Sequence, residues 1–307
     1  MTEQQPKLAL GPVLYYWPKE KLLDFYERMS TAPVDIVYLG ETVCSKRRAF
    51  NTEEWLELAE RLTAAGKEVV LSTMALLEAE SELLTLRRLC ENDHFTVEAN
   101  DMGAVRLLSE RKTPFVLGTG INVYSDRTLS LLAGLGAKRW VMPVELSRQT
   151  LASIQAGRPA GVETEVFVYG RLPLAYSARC FTARHHNLPK DDCQYRCLDY
   201  PEGLTLSTRE GQAFLAINGI QTQSAQTCNL LPELAELQEV KVDVLRISPQ
   251  AEGTETVIVA FAACLRGERD PVEAARALNA NLPHGACDGY WQGQPGLRQM
   301  VEGSVAL

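Results

Sequence analysis

The stretch from Val34 to Leu76 decides the fold: VDIVYLG (34–40), then NTEEWLELAERLTAAG (51–66), then EVVLSTMAL (68–76). The first and third segments are near-continuous apolar runs, as strands buried on both faces of a parallel sheet are. The middle segment places apolar residues at helical spacing. Asn51 or Thr52 can cap its first turn, and Gly66 can stop it. The same alternation continues on both sides. Upstream, LALGPVLYYW (8–17) reads as a first strand and PKEKLLDFYERM (18–29) as its helix. Downstream, EAESELLTLRRLCEN (78–92) is helical. HFTVEAND then pairs with GAVRLLSERK, PFVLGTGINVYS with DRTLSLLAGLGA, and KRWVMPVEL with SRQTLASIQAG. VETEVFVYG (162–170) is a seventh strand, and VDVLRIS (242–248) with TETVIVAFAACLRG (254–267) forms a late pair.

Units of about 25 residues repeated seven or eight times predict an α/β fold, a TIM-like (β/α)8 barrel. A doubly wound sheet is the alternative, but no Gly-x-Gly-x-x-Gly follows the first strand. The rhythm breaks between 171 and 231. That stretch holds three cysteines and the alternating LTLSTREGQAFLAINGIQTQS. It reads as an insertion after strand seven, carrying a hairpin, within a single domain spanning 1–307. PHGACDGYWQGQPG (283–296) reads as a loop or cap.

The chain has 307 residues, 46% of them apolar, enough for a large core. Its net charge of −8 argues against a general nucleic-acid surface. No apolar run reaches membrane-spanning length. The opening MTEQQPKLALGP lacks a charged segment followed by a long apolar one, so no export signal is expected. A cytoplasmic location follows, and there a cysteine cluster reads first as metal-binding or catalytic.

Three of the eight cysteines fall in Cys180-FTARHHNLPKDD-Cys193-QYR-Cys197. A fourth, Cys44, lies in GETV-Cys44-SKRR, after strand two, and so on the same barrel face as the segment after strand seven. Converging thiolates form a soft set that selects zinc or an iron–sulfur cluster over magnesium or calcium. Zinc sites more often pair their cysteines in two knuckles, and only one such pair exists here. Cys90 and Cys264 fall in helical patterns and read as core. Cys228 and Cys287 read as loop residues, with Cys287 a reserve ligand. His185 and His186 lie between the clustered cysteines. Lys46, Arg47, Arg48, Arg179 and Arg184 flank the thiols, where they either bind an anionic co-substrate or offset thiolate charge. Glu41, Glu98, Asp101, Glu145, Glu165 and Arg246 lie in or beside strands as positioning groups or salt bridges. Nothing resembles a Ser-His-Asp set, a P-loop or HExxH.

The stretch Glu165 to Cys180, EVFVYGRLPLAYSARC, resembles the signature of the collagenase-like peptidase family. DIVYLGE, EANDMGAVRLL, VMPVELSR, VLRISPQ and DGYW extend the likeness over nearly the whole chain. Pro173 stands where the family has the first cysteine of its signature, and Ala178 replaces a glycine. Cys44 is the natural replacement for the lost thiol. The resemblance implies a 4Fe-4S cluster held by Cys44, Cys180, Cys193 and Cys197. From the residues themselves, Arg47, Arg48, Arg179 and Arg246 are the candidates for binding a substrate or co-substrate. The resemblance also implies oxygen-independent hydroxylation of a prenylated phenol in ubiquinone synthesis, in a heterodimer with the related cluster protein UbiU, with the lipid-binding UbiT as an accessory. Relatives hydroxylate RNA, so an RNA-modifying hydroxylase is the alternative, and peptidase activity is the weakest reading.

Overall fold

A computed structural model describes residues 5–299. Residues 1–4, part of the opening stretch read for an export signal, and residues 300–307 lie outside the described residues. Six strand–helix steps come first: β1 (Lys7–Leu10) and α1 (Lys19–Met29), β2 (Ile36–Leu39) and α2 (Thr52–Ala64), β3 (Glu68–Ser72) and α3 (Glu80–Cys90), β4 (Thr96–Ala99) and α4 (Met102–Glu110), β5 (Phe115–Leu117) and α5 (Asp126–Gly134), β6 (Ala137–Val141) and α6 (Arg148–Ala156). Then follow β7 (Glu163–Tyr176), α7 (Phe181–His185), β8 (Leu204–Ser207), β9 (Ala213–Asn218), β10 (Gln221–Asn229), α8 (Leu234–Glu239), β11 (Val244–Ile247), α9 (Thr254–Leu265), α10 (Pro271–Asn279) and β12 (Ala286–Cys287).

The strands β1 to β7 and β11 are parallel, and β11 pairs with both β1 and β7, which closes an eight-stranded barrel. Local chemistry sets the helix starts. Asn51 accepts from the Glu54 amide and Glu54 accepts from the Asn51 amide, both at 2.9 Å, a reciprocal cap on α2. Ser125 and Ser147 cap α5 and α6 in the one-sided way. At the end of β2, Gly40 has φ +127°, and a Cβ there would lie 2.5 Å from the Ser72 carbonyl oxygen, so only glycine fits.

The main apolar layer lies between the strands and the surrounding helices. A smaller one, Ala9, Ile36, Tyr38, Val70, Val116, Val141 and Val244, fills the barrel itself. The rest of the interior is ionic. Arg139 meets Glu68 at 2.9 Å and Glu163 at 2.6 Å. Arg246 meets Glu165 at 2.6 Å and Glu98 at 2.8 Å, and stacks 4.0 Å from the Tyr38 ring centre. Tyr38 donates to Glu165 at 2.5 Å and Ser72 to Glu98 at 2.6 Å. Both oxygens of Glu165 are thus hydrogen-bonded, whereas Glu98 Oε1 faces Arg246 Nη2 as an ion pair without a hydrogen bond.

Strand β7 outlasts the barrel. Its first half pairs with β6 and β11, while Tyr169 to Tyr176 pair antiparallel with β10. β10 pairs with β9, and β9 with β8, so the region after strand seven is an antiparallel extension of the barrel sheet.

Two expectations need correction. The first strand ends at Leu10 rather than running to Trp17. Leu14, Tyr15 and Trp17 are apolar because the loop is buried, not because it is strand. Cys228 and Cys287 are not loop residues. They are register partners on β10 and β12, both buried. Cys90 and Cys264 lie buried in α3 and α9.

Candidate metal centre

The four cysteines singled out above are free and half-buried. Cys44 lies in the β2–α2 loop, and Cys180 precedes α7. Both pack against the same small apolar group, Leu14, Val43 and Ile220. Cys180 caps α7, its Sγ 3.4 Å from the Ala183 amide. The Phe181 amide donates to the Gly219 carbonyl at 3.0 Å, which ties this cap to the β9–β10 turn. Cys193 ends a helical turn at Lys190–Asp192, and Cys197 lies in the next, Arg196–Asp199. Between them Gln194 and Tyr195 have φ +50° and +53°. Two successive non-glycine residues in the left-handed region are costly and cluster at functional sites. Here they reverse the chain inside C-x3-C. The Trp17 indole donates to the Pro201 carbonyl at 3.0 Å, anchoring this loop on the β1–α1 segment.

A buried cation lies beside Cys44 and Cys197. The Arg47 side chain is 1% exposed. Its Nη1 donates to the Leu14 carbonyl and its Nη2 to Asn218 Oδ1, each at 2.7 Å. Glu41 lies 4.0 Å away and accepts from the amides of Val43 and Cys44 at 2.8 and 2.9 Å. Arg47 Nε is buried with no hydrogen-bond partner. Burial pushes the Cys197 thiol up, opposed by the Arg47 guanidinium beside it, while Cys180 and Cys193 push it up further. Burial raises Cys44 as well, with Cys180 among the groups that add to it. Cys180 thus lies close to both Cys44 and Cys197, and Cys193 close to Cys197. A buried Arg with a spare N–H among soft donors suits an anionic sulfur assembly. Among the described residues, no three His, Cys, Asp or Glu side chains are arranged to share one metal ion.

The other residues expected at a site fall in different places. Arg48 is exposed four positions from Cys44, and Arg179 and Arg184 are exposed on either side of Cys180. Lys46 pairs with Asp191 at 3.4 Å, just ahead of Cys193. Arg246, Glu98 and Glu165 are locked inside the barrel. Asp101 caps α4, and Glu145 accepts from Tyr124. His186 bonds Tyr200 at 2.9 Å, while His185 is exposed. Asn218, Gly219 and Leu14 build the Arg47 pocket without any sequence signal, because their roles are backbone and amide contacts made across the fold.

The usual barrel active site, at the mouth, is nearly closed. Gly11, Thr42, Asn100, Tyr176, Arg246 and Ser248 surround a cavity of about 20 Å³, room for one water. A cleft of about 960 Å³ opens instead beside it, between the starts of α2 and α3 and the loops before them. Ser45 to Arg48 and Lys190 to Asp191 line it, so it adjoins two of the thiol-bearing loops.

The molecule is thus a parallel eight-stranded barrel whose seventh strand extends into a sheet, with a thiol group on the barrel's C-terminal face. The family model for peptidase family U32 matches residues 23–297, and the chain belongs to that family. Among solved structures, the U32 peptidase Mk0906 is similar at 12% identity and TM-score 0.46, over 82% of this chain and 96% of that one. The phospho-2-dehydro-3-deoxyheptonate aldolase of Thermotoga maritima is similar at 14% identity and TM-score 0.45, over 89% and 70%. A tryptophan synthase chain of Pyrococcus furiosus follows at 10% and 0.45, over 87% and 100%.

Proposed function

We propose that this chain is an iron–sulfur subunit of an oxygen-independent hydroxylase, the role of UbiV in ubiquinone synthesis, acting with UbiU as a heterodimer partner and UbiT as an accessory. The observation that supports it is that Cys44 and Cys197, more than a hundred residues apart, both lie beside the Arg47 guanidinium, with Cys180 near both and Cys193 near Cys197. Soft thiolate donors fit a 4Fe-4S cluster, and a cluster takes each thiolate on a separate iron, so its ligands need not meet at one point. Zinc needs all of its ligands within about 2.3 Å of one centre. When bound, such a cluster would supply electron transfer. The chain's own part is to hold four thiols in a half-buried pocket, and to offer Arg47 Nε as a donor to sulfur. Hydrogen bonds to the sulfurs are among the levers that tune such centres.

The family label names a peptidase. Neither the sequence nor the thiol pocket offers a nucleophile–base pair aimed at a peptide, and the net charge weighs against RNA as substrate. The test is anaerobic purification, with iron and acid-labile sulfide counted and visible and EPR spectra recorded, beside Cys→Ala at each of the four positions. Iron and sulfide in equal numbers, lost in each variant, support the reading. Zinc in place of iron, or iron retained in Cys44→Ala, refutes it.

A further inference from the structure

Closing the barrel mouth leaves polar groups inside it. Thr42, Glu98 and Arg246 line the cavity of about 20 Å³ and are only 3%, 1% and 4% exposed. Thr42 Oγ1, Glu98 Oε1 and Arg246 Nη2 have no hydrogen-bond partner among the described residues. Three of the nine such buried side-chain atoms thus belong to residues around this one hollow. Glu98 Oε1 and Arg246 Nη2 lie 2.8 Å apart as an ion pair, yet make no hydrogen bond to each other. Tyr176 also lines the cavity. Its hydroxyl accepts from Gln221 Nε2 at 2.8 Å and still has its own proton to give. Buried polar atoms in native proteins are nearly always matched, so this set asks for a partner.

We propose that the mouth is a fixed-water site, with one water bound among Thr42, Glu98, Tyr176 and Arg246. The water accepts from Arg246 Nη2 and the Tyr176 hydroxyl, and donates to Glu98 Oε1 and Thr42 Oγ1. Two donors and two acceptors are the complement of a single water. The volume is that of little more than one water-sized sphere, which excludes larger ligands. An anion here would meet the Glu98 carboxylate and a cation the Arg246 guanidinium, so a neutral molecule is selected. The bound water is also the barrel end of a hydrogen-bonded line. Gln221 Nε2 donates to Tyr176 at 2.8 Å, Asn218 Nδ2 to Gln221 Oε1 at 3.1 Å, and Arg47 Nη2 to Asn218 Oδ1 at 2.7 Å. Hydrogen bonds alone therefore join the ionic interior of the barrel to the cation beside Cys44 and Cys197. The site requires no iron and stands apart from the function proposed above.

The test is a crystal structure of the reduced, iron-free full chain at a resolution that shows single waters, with parallel crystals grown in bromide and in rubidium salts. One peak of water density is expected within hydrogen-bonding distance of Thr42 Oγ1, Glu98 Oε1 and Arg246 Nη2, with no anomalous signal there from either salt. An anomalous peak at the mouth would mean an ion, and a mouth without density would mean a dry hollow; either overturns the proposal. Melting of Thr42→Val gives a second reading whose sign decides. Valine keeps the shape of threonine and replaces the hydroxyl by a methyl. If the hydroxyl is bonded to water, its loss should lower the melting temperature by about 2–4 °C. If the hydroxyl is buried without a partner, the methyl relieves that cost and the variant melts with the parent or above it. An unchanged or raised melting temperature in Thr42→Val therefore also overturns the proposal.

Discussion

Replacing Arg47 by methionine tests whether one buried cation organises the thiol group. The substitution keeps most of the volume and removes the charge and its donors. The Leu14 carbonyl stays satisfied, because Asn218 Nδ2 also donates to it at 2.7 Å. Glu41 keeps the two amides of its own loop. The Asn218 Oδ1 acceptor, buried and bonded by Nη2, is left empty. One orphaned buried acceptor costs about 1–3 kcal/mol. Loss of the counter-charge 4.0 Å from Glu41 adds to this, so about 2–4 kcal/mol is expected in all. At about 2–4 °C per kcal/mol for a large domain, the iron-free chain should melt roughly 5–15 °C lower. Near-ultraviolet circular dichroism of the reduced, iron-free protein reads this directly. Iron bound per chain after anaerobic reconstitution should fall in parallel, since the thiol loops lose their common anchor. A variant that melts with the parent and takes up iron equally would refute the role given to Arg47.

Three further outcomes follow from neighbouring geometry. Gly219→Ala places a Cβ 2.9 Å from Arg47 Nη2 at φ +68°, so it should cost about 1–3 kcal/mol in urea unfolding and lower iron uptake without touching a thiol. Arg246→Met leaves Glu98 and Glu165 buried without their shared cation and should cost about 3–5 kcal/mol; adding Glu165→Gln should return part of that loss, and a merely additive double variant would count against coupling. Glu233 is pushed up to about 7, first by burial and then by Glu236. A carboxyl raised in the folded state binds protons that the unfolded chain has released. Its contribution is therefore full below the unfolded carboxyl range and is lost as pH rises through about 7. The melting temperature should fall between pH 5 and pH 8, and Glu233→Gln should flatten that fall.

The barrel was legible where burial is two-sided. IVYL, VVLS and RWV are strands because their apolar runs face helices outside and the filled barrel inside. The same logic misled at GPVLYYW, whose apolar side chains are buried beneath the thiol-bearing loops while the backbone is irregular. β10 was hard to see for the opposite reason. QTQSAQTCN is polar, yet nearly every residue of it is buried, because β7, β9 and β12 flank it and side chains such as Ser224 bond backbone groups across the sheet. That Cys44 and Cys180 come together was legible from which barrel face each loop leaves. The buried cation beside Cys44 and Cys197 was not. Arg47 is one of three consecutive basic residues, and only the contacts of Leu14 and Asn218 distinguish it from exposed Arg48.

The closed mouth and the open cleft have one cause. Carrying β7 on to Tyr176 sends the chain over the top of the barrel, where it pairs with β10 and closes the axial cavity to about 20 Å³. The interior below is occupied by the Arg139 and Arg246 ion pairs, so no ligand can approach along the axis without breaking buried charge contacts. The chain that continues from β7 then returns as the Cys180, Cys193 and Cys197 loops, which come down beside the β2–α2 loop and Cys44. The large cleft adjoins these loops from the side, between α2 and α3, through Ser45 to Arg48 and Lys190 to Asp191. Shortening the β7–β10 extension would reopen the mouth but would also remove the frame for three of the four thiols. A barrel built this way carries its large cleft beside the axis rather than at the mouth. Iodoacetamide labelling of the half-buried thiols in the reduced, iron-free chain should consequently be unchanged by variants of mouth residues such as Thr42, whereas Thr85→Trp, which narrows the cleft, should slow it. Equal slowing by both would mean that the mouth and the cleft form one continuous site, and the lateral approach would be wrong.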